Sequence, residues 1–256
     1  MSRVRVAERA VRELLYLADH FSFATEQDKS AWLALLLTVA FRKKIRGPVP
    51  MFWIVGDPRT GKSTLARYTA QLGALASGRT MPDVKYSQSI GARAVVEAVK
   101  ERIPVAIIDG VYKPLSGESA LCAAVSERTV TERIFDRETG KRYWNETVWC
   151  AVGTGVFASK ALKRRTVPIK LVEGPDYDPA RNEVLKGDVI ELQEQAKILW
   201  QNTPNINADL SRINWTLFEE WSWLIRFPLI AAGMPDPVPS LFDDEESDAA
   251  AREVPR

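Results

Sequence analysis

Val4, Ala7, Val11, Leu14, Leu15 and Ala18 recur at helical spacing with arginines and glutamates between them, which predicts an amphipathic helix over 4–19. A second helix, about 27–41, is apolar around most of its surface and is expected to be buried. Lys43, Lys44 and Arg46 end it, and Gly47-Pro48 stops it. The period then shortens. Val49–Val55 reads as a strand, 61–75 as a helix, 84–87 as a strand and 91–101 as a helix. Val105–Ile108 is a compact β-branched run of the kind found in buried parallel strands.

Residues 117–127 read as helical. Thr129–Phe135 and Arg142–Val148 read as two arms of a hairpin joined across 136–141. Strands at Thr147–Val152 and Val167–Val172 follow, with a short helix between them. Helices at about 188–201 and 211–232 close the pattern at Pro235, Pro237 and Pro239. This order predicts an α/β fold: a parallel sheet core flanked by helices, with N-terminal helices and a C-terminal helical subdomain. The expected divisions are a helical segment over 1–46, a core over 47–175 carrying a hairpin insertion at about 129–148, a helical subdomain over 176–240, and an acidic, disordered tail over 241–256.

The 256 residues carry a net charge of only +2, but unevenly. Asp243–Arg256 holds six acids and two bases, which leaves 33 bases against 27 acids elsewhere. A mildly basic body permits nucleic-acid binding without demonstrating it. Cys122 and Cys150 sit in apolar stretches with no zinc spacing, as expected of two buried thiols in a reducing compartment. Charges interrupt any apolar run at the N-terminus, and Ala31–Phe41 is too short to span a bilayer, so the expectation is a cytoplasmic protein without a membrane segment. His20 is the only histidine, which excludes a His–Cys or His–Ser catalytic pair built with a second one, and no role is assigned to it.

Gly56-Asp57-Pro58-Arg59-Thr60-Gly61-Lys62-Ser63 is a complete phosphate-loop pattern, with Thr64 next, placed between a strand and a helix as the motif requires. Its glycines let the backbone curl around phosphates, and successive N–H groups face the oxygens. Lys62 can reach the β- and γ-phosphates, and the Ser63 hydroxyl can coordinate Mg²⁺. Asp109 ends the run Val105–Ile108, where its carboxylate can hold Mg²⁺ directly or through water. The acid often found next is replaced by Gly110; Glu118 or Glu127 are the alternatives. Thr154 follows a strand and can orient water or sense the γ-phosphate, or make a local turn bond. Arg164 and Arg165 can neutralise charge on the γ-phosphate, from a neighbouring subunit or within one chain, or form an exposed basic turn.

Lys141 and Arg142 fall at the tip of the proposed hairpin with Arg137 opposite, and Tyr143 and Trp144 follow. Basic and aromatic residues together suit single-stranded nucleic acid, or else the aromatics face the core. Arg42, Lys43, Lys44 and Arg46 form a basic patch that suits either DNA or a helix end. Trp200, Trp215, Phe218, Trp221, Trp223 and Phe227 read as packing.

Together these residues resemble a known family: the helicase-like P-loop ATPase module of phage and mobile-element primases, related to superfamily three helicases and the AAA+ class. The likeness runs over about residues 27–240. It is carried by Ala31–Thr38 leading through Gly47–Phe52 into the phosphate loop, by Val105–Asp109, by Arg133-Ile134 before Val148–Thr154, by Leu162–Arg165 and by Glu219–Pro237. The resemblance implies ATP as the nucleotide, a homo-oligomer, with a hexamer favoured, and action on single-stranded or forked DNA as a helicase or helicase loader in replication. It also implies a hairpin pointing into a central channel, and Arg164-Arg165 as a paired finger. The family often has Asn where this chain has Thr154, and it places a primase or other domain ahead of the ATPase. A separate primase or replication initiator is therefore an expected partner. Two other readings stay open at this stage: a P-loop small-molecule kinase, and a nucleotide-gated switch with slow hydrolysis.

Overall fold

A computed structural model of the chain describes residues 2–81, 85–86, 90–112, 115, 118–132, 140–154, 159–174, 183–203 and 215–238. The helices are α1 (Arg3–Tyr16), α2 (Glu26–Phe41), α3 (Lys62–Ala76), α4 (Ala92–Lys100), α5 (Glu118–Ser126), α6 (Lys160–Lys163), α7 (Lys186–Asn202), α8 (Glu219–Trp221) and α9 (Phe227–Ala231). The strands are β1 (Met51–Val55), β2 (Lys85–Tyr86), β3 (Val105–Val111), β4 (Thr129–Glu132), β5 (Lys141–Trp144), β6 (Val148–Gly153) and β7 (Thr166–Lys170). Five strands form a parallel sheet in the order β2-β3-β6-β1-β7, and β4 and β5 pair separately as an antiparallel ribbon. The parallel sheet flanked by helices, with helical extensions at both ends, is an α/β architecture of the P-loop NTPase, AAA+-like type.

The centre of the sheet is built from β-branched and aromatic residues buried on both faces. Phe52, Trp53, Ile107, Ile108, Trp149 and Val152 are all in the core, as a parallel sheet covered by helices on either side requires. Helix α2 is buried along its length from Ser30 to Ala40, as its all-round apolar pattern predicts. Thr25 caps it, accepting the Asp28 N–H at 3.1 Å. Two indole hydrogen bonds tie this buried helix to its neighbours: the Trp221 N–H donates to Thr38 Oγ at 2.8 Å, and the Trp32 N–H donates to Thr69 Oγ on α3 at 2.9 Å. Gly73 lets α3 approach α2 closely, since a Cβ there would stand 2.7 Å from Val39 Cβ.

Three expectations are corrected. The helix predicted over 211–232 runs without a gap over Thr216–Ala231 of the described residues, but it is irregular: a 3₁₀ turn, α8, a π-helical stretch Ser222–Arg226, then α9. Pro228 explains the distortion. It has no N–H for the Leu224 carbonyl, and that carbonyl accepts the Trp200 indole N–H at 2.8 Å instead. Within the aromatic series, Phe218, Trp221 and Phe227 are core, whereas Trp223 is exposed.

The second correction is to the hairpin. Its described arms are only four residues each, and Lys141 and Arg142 lie on β5, opposite Glu132 and Thr131, rather than at the tip. Arg137 and the acidic tail lie outside the described residues.

The third is Arg42, which is not part of a surface patch. Its guanidinium is buried and donates to the carbonyls of Ile45 and, at 2.8 Å, Asn145. Burial pushes its pKa down to about 10, opposed by Glu146 and Glu220. Asn145 in turn donates its amide to the carbonyls of Ala124 and Glu127 and accepts the Thr147 N–H. Arg42 thereby fastens the segment between the ribbon and β6. Arg42→Met keeps the stem and leaves two buried carbonyls without their donor. It should lower stability by about 2–4 kcal/mol, measured as a drop in the urea midpoint at unchanged m-value.

Of the cysteines, Cys150 is buried and Cys122 half-buried, and both are thiols, not a disulfide. Burial pushes the Cys150 thiol up to about 12. No helix among the described residues is long and apolar enough to cross a membrane.

Candidate functional site

The phosphate-loop pattern occupies the turn between β1 and α3, at the C-terminal edge of the sheet where α/β folds place ligands. Gly56 packs against the strand beyond it: a Cβ there would meet the Leu171 carbonyl oxygen at 2.5 Å. Arg59 and Gly61 both have positive φ, 70° and 80°, so the loop curls back on itself before α3 starts. Thr60 is buried and its hydroxyl donates to the Asp57 carbonyl at 3.0 Å. Lys62 is only partly buried. Its ammonium donates to the same Asp57 carbonyl and lies 3.5 Å from Thr60 Oγ. Burial holds its pKa below the ordinary lysine range, and Asp57 and Asp109 oppose that shift.

Asp109 reaches this loop from β3, although β6 lies between β3 and β1. The Ser63 hydroxyl donates to Asp109 Oδ1 at 2.9 Å, and the Gly110 N–H donates to the same oxygen at 2.9 Å. The β3–β6 register slips between Ile108 and Val111, so Asp109 and Gly110 sit in a bulge that turns the carboxylate toward α3. Gly110 has φ 73° and open space around it. Backbone conformation rather than crowding therefore accounts for the missing second acid: a side chain there would be strained. Asp109 Oδ2 faces Arg67, with Nη2 at 3.6 Å.

Ser63 Oγ and the Asp109 carboxylate are hard oxygen donors suited to Mg²⁺, an ion that keeps waters and phosphate oxygens as its other ligands. Among the described residues no group of three or more His, Cys, Asp or Glu could cage a metal, so waters or nucleotide oxygens would complete the shell of a cation held here.

The other sequence-predicted residues divide between two ends of the sheet. Thr154 follows β6 at the same edge as the loop and Asp109; it is exposed, and its N–H donates to the Val111 carbonyl at 3.3 Å. Arg164 and Arg165 precede β7, whose first residue pairs with Met51 at the start of β1. They therefore lie at the opposite, N-terminal edge, about 15 Å from their own phosphate loop across a five-residue strand.

The pair also separates. Arg165 donates to Ser126 Oγ at 2.7 Å and the Ala161 carbonyl at 2.6 Å. Arg164 is exposed, and its Nε donates to the Lys160 carbonyl at 3.3 Å. Its own carbonyl accepts the Trp215 indole N–H at 3.1 Å, which ties this turn to the C-terminal helices.

The ribbon has two unlike faces. On one, Tyr143 donates its hydroxyl to Glu132 at 2.7 Å, Lys100 of α4 lies 3.5 Å from the same carboxylate, and Lys141 lies 5.3 Å from the Tyr143 ring centre. The Tyr143 bond, with Lys100 and Lys141, holds the Glu132 carboxyl below its usual range. Alternation puts Arg142 and Trp144 on the other face, where both are exposed. Glu127 is exposed at the end of α5; the side chain of Glu118 lies outside the described residues.

Arg67 is the residue at this site that the phosphate-loop pattern leaves out. Arg67 follows Ser63 by four positions, which was visible, but its partner on β3 was not.

No protein-family model and no curated protein matches the chain. Solved structures do. The SCCmec type IV Cch, described as an active helicase, is 14% identical, with a TM-score of 0.47, covering 93% of this chain and 49% of that one. The A form apo structure of the NrS-1 C terminal region is 11% identical, with a TM-score of 0.44, covering 87% of this chain and 51% of that one. A second structure of that region, spanning 305–718, gives 13%, 0.41, 85% and 50%. The chain thus spans about half the length of the solved structures to which it is similar.

Proposed function

We propose that this chain is a Mg²⁺-dependent ATPase that works as a DNA-associated, homo-oligomeric motor, helicase or helicase loader of the phage or mobile-element replication type. The observation that carries the reading is the 2.9 Å bond between Ser63 and Asp109, which brings the motif serine and the strand-end carboxylate together at the mouth of a glycine-turned loop. In this reading the N–H groups from Gly56 to Thr64 and the Lys62 ammonium hold the β- and γ-phosphates. Ser63 and Asp109 would hold Mg²⁺, which would supply positive charge to the phosphates. Thr154 positions the attacking water.

Arg164 completes the site of a neighbouring subunit, since its place at the far edge of the sheet keeps it from its own. A ring, with six subunits favoured, satisfies that arrangement. A separate primase or initiator would supply the remaining replication chemistry. In the same reading 1–46 and 176–240 are helical units around the core 47–175.

Gly110 favours a second reading, a nucleotide-gated switch with slow hydrolysis, because the bulge leaves no side chain where a second acid would help activate water. The experiment that separates the two is the ATPase rate with and without single-stranded DNA, with oligomer mass measured on the same sample. A motor gives stimulated turnover by an assembled species. Slow turnover indifferent to DNA sinks it.

The DNA contact is assigned to the Arg142–Trp144 face, where a base can stack and a phosphate can pair. Lys141 lies on the α4 side and contributes charge, with Arg137 of the same hairpin expected to add to it. Arg142→Ala/Trp144→Ala should weaken single-stranded DNA binding by about tenfold or more, flatten its salt dependence, and lower the ratio of DNA-stimulated to basal turnover. Unchanged affinity across a salt series would transfer the contact to Lys43, Lys44 and Arg46, which remain exposed.

A further inference from the structure

Arg67 is a charged group at the phosphate site to which the proposed chemistry gives no task. It stands on α3 one turn beyond Ser63, so the two side chains share a helix face. Asp109 Oδ1 already accepts from Ser63 and Gly110, and Oδ2 has Arg67 Nη2 at 3.6 Å. At that separation the contact is an ion pair rather than a directional hydrogen bond. Arg67 is half exposed, at 49%, whereas Asp109 is the more enclosed partner, at 26%.

We infer that Arg67 is the counter-ion Asp109 holds before the metal arrives, and that it makes the site take Mg²⁺ only together with a nucleoside triphosphate. This rests on the phosphate-site reading proposed above. A divalent cation bound between Ser63 Oγ and Asp109 meets a guanidinium already sharing that carboxylate's charge. The metal is attracted less by Asp109 and is repelled by Arg67, so free Mg²⁺ binds weakly. A triphosphate brings three or more negative charges on its own oxygens, which outweigh one guanidinium. Arg67 then swings toward solvent, as a half-exposed side chain can. Arg67 is in this sense a positioning residue: it acts on metal affinity through Asp109 and touches neither the phosphates nor the attacking water.

The test is a Mn²⁺ titration of the full chain, read by electron paramagnetic resonance, with and without a non-hydrolysable ATP analogue. Arg67→Gln should bind Mn²⁺ about tenfold more tightly without nucleotide, the size expected for one charge about 6 Å from a dication at a dielectric near that of water. The gain should shrink when the analogue is present. Arg67→Lys, which keeps the charge, should behave like the unaltered protein. Thermal melting of each variant checks that the fold is retained.

Equal or weaker Mn²⁺ binding by Arg67→Gln overturns the inference, as does Arg67→Lys behaving like Arg67→Gln. Weaker binding of the analogue by Arg67→Gln in EDTA also overturns it, because Arg67 would then be a phosphate ligand. If Asp109→Asn leaves the Mn²⁺ signal of the chain unchanged, the metal is elsewhere; the phosphate-site reading itself then fails, and this inference with it.

Discussion

Lys62→Ala should abolish most ATP hydrolysis, lowering turnover by about a thousandfold or more, since one preorganised charged donor to a transferring phosphoryl group is worth at least what an oxyanion-hole donor is worth. Lys62 makes its bonds within the loop, to the Asp57 carbonyl and toward Thr60 Oγ, and is not part of the core. Its removal should therefore leave the free energy of urea unfolding within about 0.5 kcal/mol of the original. Such a silent structural change makes the variant useful beyond its own rate.

Arg164 lies at the sheet edge opposite the loop, so in the proposed assembly a Lys62→Ala subunit still offers an intact arginine to its neighbour. Mixing it with Arg164→Ala, itself inactive in an assembly, should restore part of the activity at interfaces that join an intact loop to an intact Arg164. Restoration should follow the mixing ratio. Full turnover by purified Lys62→Ala would remove the loop from the active site. No rescue under conditions of subunit exchange would move Arg164 out of the interface.

Local pattern carried much of the fold. The period-3.6 segments became α1, α2, α3, α4 and α7 within a few residues, because each either has a clear apolar stripe or is buried whole. The compact runs became β1, β3, β6 and β7 because four to seven apolar, largely β-branched residues bounded by Pro or Gly have few other places to go. What the pattern could not carry depends on partners distant in sequence. Arg42 looked like one of four cations after a helix; its burial is set by Asn145, about a hundred residues away, which needs its donor. The register of β4 on β5 put Lys141 opposite Glu132, and no local signal reveals which carboxylate a strand cation will meet.

The site divides the same way. A phosphate loop is local, so its glycines, lysine and serine are readable together. The strand-end position of Asp109 is also local. That Ser63 and Asp109 touch is not, because Ser63 opens the helix after β1, β6 lies between β1 and β3, and the bulge at Asp109-Gly110 closes the gap. Position 110 shows how the two levels meet. Sequence registers that an acid is missing there; the left-handed backbone supplies the reason, since glycine is the residue that adopts φ 73° without strain. The arginines before β7 gain their meaning from topology alone. Parallel pairing of β7 with β1 places them beside Met51, at the end of the strand farthest from the Gly56–Ser63 loop.

Asp109→Asn should lower Mg²⁺-dependent turnover by about a hundredfold and raise the Mg²⁺ concentration needed for half-maximal rate, since a neutral amide loses the charge that draws the cation. Shape alone does not rescue it. If the amide oxygen takes the Oδ1 position it can still accept from Ser63 and the Gly110 N–H, but its NH₂ then points at the Arg67 guanidinium, donor against donor. If the amide flips, the oxygen meets Arg67 and the NH₂ meets the Gly110 N–H, which has no lone pair to offer. Either way one contact around the carboxylate becomes repulsive, so the bulge at 109–110 should loosen as well as lose charge. Nucleotide binding in EDTA should survive, because the loop N–H groups and Lys62 do not depend on Asp109. The pair of measurements is turnover across a Mg²⁺ series and binding of a fluorescent ATP analogue in EDTA. A variant that kept both the original rate and the original Mg²⁺ dependence would place the metal on other carboxylates. Loss of binding in EDTA would instead mean that Asp109 shapes the loop through Ser63 before any metal is involved.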